Sequence, residues 1–225
     1  MPPGIMKALA MQQSLNLDIF YSFIIIICSL MIYFGTKELY SLSSHQGIKY
    51  FRLAFLFFAI AYFFRSFIKF IIIYFNIPEI MQLSPRLLGT ITLIGFIYFS
   101  IMAIFYLLYS VVWKKINKNK IYLFHTVAML MSLASALLHS KLIYILINIS
   151  ILIITIAIIL LAHQEKQKQN YIYITYILLS IFWALNILDI LIPNFFRNSQ
   201  LIIYLASSGI FLTILYKVIK KTGAI

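Results

Sequence analysis

Apolar residues along this chain fall into seven long runs separated by short polar breaks, at roughly 18–35, 50–76, 87–112, 121–138, 142–161, 171–191 and 200–217. A helix rises about 1.5 Å per residue, so about 20 residues cross a hydrocarbon layer of roughly 30 Å. Each run is close to that length or longer. The pattern predicts an all-α fold: a polytopic transmembrane helix bundle of about seven spans, forming one domain over residues 1–225. The shortest break is His139, Ser140 and Lys141. A single helix running from 121 to 161 would be far too long for one crossing, so a tight hairpin is expected there. Residues 1–17 hold one lysine, Lys7, and no apolar run, and no small-residue cleavage site follows the first run. That run is expected to be retained as a helix.

Composition supports lipid as the solvent. The chain is 64% apolar and 10% charged, where a soluble domain is about 45–50% apolar and about 25% charged. The formal charge of +13 does not point to nucleic acid, because the basic residues sit in short clusters between apolar runs. Such clusters set the orientation of a membrane protein. Lys37, Lys49 and Arg52, then Lys114, Lys115, Lys118 and Lys120, then Lys166 and Lys168, then Lys217, Lys220 and Lys221 all fall on one side. The other side receives Lys7, Arg86, Lys141 and Arg197. The lysine-rich side is therefore expected to be cytoplasmic, with the N-terminus outside and the C-terminus inside. The cell membrane is the expected location.

Charge inside a span is costly unless it is paired or reaches water. Arg65 stands in the second run, about 20 Å along a helix from Arg52. Tyr62, Arg65, Lys69 and Asn76 fall within about 60° of one another on a helical wheel. Two other spans carry polar faces at matching depth: Tyr144, Asn148 and Thr155 on the fifth, and Thr175, Asn186 and Asp189 on the sixth. A candidate ligand-binding layer follows, made of Arg65, Lys69, Tyr62, Asn148, Asn186 and Asp189. Asp18, at the outer start of the first helix, is a further candidate counter-ion. The same residues fit three roles: a structural tie between helices, a ligand or substrate pocket, or an ion path.

The fourth span repeats small residues at Ala128, Ser132, Ala136 and Ser140, a ridge that lets another helix approach closely. Ala128, Ser132 and Ala136 are the candidate helix-packing residues. His125 and His139 share a face of the same helix and are read as packing residues near the interfaces. The single cysteine, Cys28, lies among isoleucines and is read as an inert thiol.

The sequence carries no H-E-x-x-H, no G-x-S-x-G and no Gly-rich phosphate loop, and its five acids are Asp18, Glu38, Glu79, Glu165 and Asp189. No catalytic activity, cofactor or metal is expected. The favoured expectation is a sensory or receptor-like module with an outward-facing polar pocket around Arg65. The alternatives are a small-solute or ion transporter, or a helix-packing accessory subunit of a membrane complex. The expected partners are the lipid bilayer and a membrane or cytoplasmic protein, without nucleic acid.

Overall fold

The computed structural model describes residues 3–75, 85–115, 120–138, 140–164, 171–191 and 200–222. The regular structure of these residues is entirely helical: α1 (Pro3–Gly35), α2 (Lys37–Ser43), α3 (Gln46–Phe75), α4 (Pro85–Val112), α5 (Lys120–Leu138), α6 (Lys141–Gln164), α7 (Tyr171–Leu191) and α8 (Gln200–Thr222). All but the short α2 are long and apolar enough to cross a membrane, which gives seven spans. The fold is that of a multi-pass integral membrane protein.

Helix boundaries follow local chemistry as well as hydropathy. The apolar pattern places the first helix at residue 18, but α1 begins at Pro3. Proline suits the first turn of a helix, and the Ala, Met, Leu, Gln and Lys residues that follow are strong helix formers. The spanning part of this helix starts at Asn16. Helix α2 closes at Ser44, which adopts a left-handed backbone (φ 49°) and donates its N–H to the Tyr40 carbonyl at 2.8 Å. The expected hairpin between the fourth and fifth spans is present as the break between Leu138 and Lys141. His139 itself is outside the described residues.

Helix α1 packs on α3 and α8, α3 on α4, α4 on α6, α6 on α7, and α7 on α8. These six helices therefore close into a ring. Helix α5 stands outside it, against α4 and more lightly against α6. Lipid tails are as apolar as leucine, so close packing rather than a hydrophobic drive joins helices in a membrane. Gly95 of α4 shows how close that packing is, since a Cβ there would lie 2.6 Å from the Phe64 ring of α3. Inside the ring, Phe55 and Phe58 of α3 meet Phe182 of α7 and Phe211 of α8, all fully buried. The Phe58 and Phe211 rings are 6.0 Å apart, and Phe182 and Phe211 4.9 Å. Their edge and tilted contacts make an aromatic floor joining α3, α7 and α8.

The small-residue ridge of α5 faces inward. Ala128, Ser132 and Ala136 are buried within the chain, on the helix that packs mainly on α4. The ridge is thus packed against this chain's own helices. His125 fixes the same contact, with Nδ1 2.7 Å from the Tyr98 hydroxyl and Nε2 3.4 Å from that of Tyr106.

Candidate functional site

Arg65 lies on α3 about 10 Å from the aromatic floor, measured along the helix to Phe58. Its Nη2 donates to Asp18 Oδ1 of α1 at 3.1 Å, forming an ion pair. Its Nη1 donates to Asn186 Oδ1 of α7 at 3.4 Å. The guanidinium carbon is 5.5 Å from the Tyr21 ring centroid, 5.6 Å from that of Tyr62 and 5.7 Å from that of Phe96. A guanidinium is planar and presents its donors at its edges, so it can pair in plane while rings approach from other directions.

The partners are themselves held. Asn186 Nδ2 donates to the Phe182 carbonyl one turn back at 2.9 Å, which leaves its Oδ1 for Arg65. The Tyr21 and Tyr62 hydroxyls are hydrogen-bonded at 3.2 Å. Tyr21 stacks on Tyr204 of α8 with centroids 4.6 Å apart, and Gln200 Nε2 donates to the Tyr204 hydroxyl at 2.8 Å. A polar layer thus joins α1, α3, α7 and α8. Buried polar groups at membrane depth must find such partners, because lipid offers none.

A cavity of about 290 Å³ opens beside this layer, between α3, α4 and α6. Its walls are Phe64, Arg65, Gly89, Thr92, Leu93, Phe96 and Tyr144. Arg65 is the one charged residue among them. The Arg65 side chain is 17% exposed while that of Asp18 is 4% exposed, so Arg65 is the less enclosed member of the pair.

The structure treats the sequence-derived candidates unequally. Arg65, Tyr62 and Asn186 are brought together. Asn148 is buried on α6, and its Nδ2 donates to the Tyr144 carbonyl at 2.8 Å, within its own helix. Asp189 is half-buried and acts electrostatically on Tyr144 and Tyr204; the carboxylate on Arg65 is that of Asp18. The Lys69 side chain and Asn76 are outside the described residues. Sequence reasoning did not find Tyr21, Tyr204, Gln200 or Phe96. The i, i+3 spacing of Asp18 and Tyr21 and the i, i+4 spacing of Gln200 and Tyr204 were the available signals. No group of three or more metal-ligating side chains occurs among the described residues.

Fold and site together define a seven-span helix bundle with a buried ion-pair layer and an adjoining cavity. The chain is 28% identical, over 232 aligned residues, to an uncharacterized protein of Archaeoglobus fulgidus, covering 98% of this chain and 99% of that relative. The likeness runs the length of both proteins. No protein-family model matches the chain, and no solved structure matches it.

Proposed function

We propose that this protein is a receptor-like membrane module that binds a small ligand in the Arg65 cavity from the outer face, without catalysis. The carrying observation is that the cavity has Arg65 in its wall, together with Thr92 and Tyr144. Largely preformed cavities with a few placed polar groups are the usual small-molecule sites. The outward orientation rests on the lysine-rich loops, which belong in the cytoplasm. It places the N-terminus outside and the cavity in the outer half of the cell membrane.

Purified protein in nanodiscs, screened against a broad solute panel, is expected to melt at higher temperature with a ligand. The same ligand should show no flux through proteoliposomes. Flux that Arg65→Ala abolishes would replace this reading with transport. Orientation is tested separately in a Cys28→Ser background. A cysteine at Ser140 should label from outside, and one at Thr222 only after permeabilisation. The reverse pattern would invert the assignment.

A further inference from the structure

We infer, building on that reading, that the cavity takes a small organic monoanion: a carboxylate with a compact apolar body. Among its described lining residues the one ionised group is a cation, and none is a carboxylate. Asp18 reaches Arg65 from α1, a helix with no residue among the described walls. The described partners take Nη1 and Nη2 once each, whereas a guanidinium has five N–H donors. Donors therefore remain for a second acceptor, and a planar carboxylate matches their geometry. The other walls suit an apolar body: Phe64, Leu93 and Phe96 surround the space, with Thr92 and Tyr144 adding hydroxyls. The volume of about 290 Å³ equals that of about ten waters at roughly 30 Å³ each. An acid of about that many non-hydrogen atoms fits the space.

The test uses the full chain in nanodiscs, with benzoate and hexanoate as probes and their isosteric neutral amides and benzylammonium as controls. Melting shifts and titration calorimetry give the affinities. Both acids are expected to bind at least about tenfold more tightly than their amides, the factor a charge-assisted hydrogen bond supplies. Benzylammonium should not bind. Arg65→Lys keeps a charge opposite Asp18 but loses the planar fork, and should weaken acid binding about tenfold while the protein still folds. Thr92→Trp fills the cavity without touching the ion pair and should abolish binding of every probe. Amides or benzylammonium binding as tightly as the acids, blocked by Thr92→Trp, would overturn the anion assignment and leave the receptor reading standing. Failure of all probes and of the wider ligand screen would overturn both. Acid binding that survives Thr92→Trp unchanged would place the site elsewhere and overturn the assignment to this cavity.

Discussion

Helix α3 carries two arginines about 20 Å apart along its axis, and both tie it to the first helix by different means. Arg52 donates Nε–H to the Tyr33 carbonyl at 3.1 Å and lies 4.9 Å from the Tyr33 ring and 5.7 Å from that of Tyr40. Arg65 likewise lies near tyrosine rings, Tyr21 and Tyr62, but has a carboxylate, Asp18, on its fork. A carbonyl near the helix end suffices for Arg52, because the lysine-rich end of the bundle allows its charge to reach water. Arg65 points at Asp18 and Asn186 on other helices, among buried rings, and a cation enclosed in this way needs a full counter-charge. Surroundings, rather than residue type, decide which arginine becomes part of a buried ionic layer.

The strongest way to break this comparison is to truncate each arginine. Arg65→Ala takes the cation away from the buried Asp18 carboxylate and should destabilise the bundle by about 3–5 kcal/mol. Equilibrium unfolding in mixed micelles measures it. Combining Arg65→Gln with Asp18→Asn should recover much of that loss, since the double variant leaves no unpaired charge. If the double variant were as unstable as the sum of its parts, the ion pair would not be the source of the asymmetry.

Much of the fold was legible because lipid imposes a simple rule on sequence. Seven apolar runs became seven spans, and even the three-residue break at His139–Lys141 fell where the helices separate. Arg65 was legible as a charge in an apolar run, and Asn186 as a polar residue at the same depth. The choice between Asp18 and Asp189 as counter-ion was not. Both sit near one end of the spanning part of their helices, and choosing between them requires knowing that α1 neighbours α3, a matter of helix order in the ring. The same gap explains the α5 ridge: Ala128, Ser132 and Ala136 declare a close contact but not whose helix fills it. The cavity was hidden because it arises from how Gly89 and Thr92 of α4 and Tyr144 of α6 fail to fill space between them.

Two glycines sharpen the contrast between the ends of the bundle. A Cβ at Gly95 would lie 2.6 Å from the Phe64 ring, and one at Gly47 would lie 2.8 Å from the Ser110 carbonyl oxygen. Overpacking of this kind costs about 1–3 kcal/mol, so both Gly95→Ala and Gly47→Ala should lower stability. Only Gly95→Ala should also change ligand affinity, because Phe64 is a cavity wall. Equal effects of both on binding would mean that the cavity responds to general loosening rather than to Phe64. A smaller loss, about 1 kcal/mol, is expected from Tyr21→Phe, which removes the hydroxyl bonded to Tyr62 at 3.2 Å.

The smallest effect is expected at the other arginine. Arg52→Ala removes one hydrogen bond to a carbonyl at the end of α1 together with two ring contacts. The Tyr33 carbonyl keeps a weak bond from Thr36 Oγ1 at 3.4 Å, and water at the bundle end can supply the remainder. No buried charge is left behind, since no acid pairs with Arg52 among the described residues. The loss should therefore stay at about 0.5 kcal/mol, the lower end of the net value of one hydrogen bond, with ligand affinity unchanged. Mixed-micelle unfolding of Arg52→Ala beside Arg65→Ala gives the ratio directly. A loss at Arg52 as large as that at Arg65 would show that the paired carboxylate does not separate the two, and that Tyr33 and Tyr40 hold a second buried site.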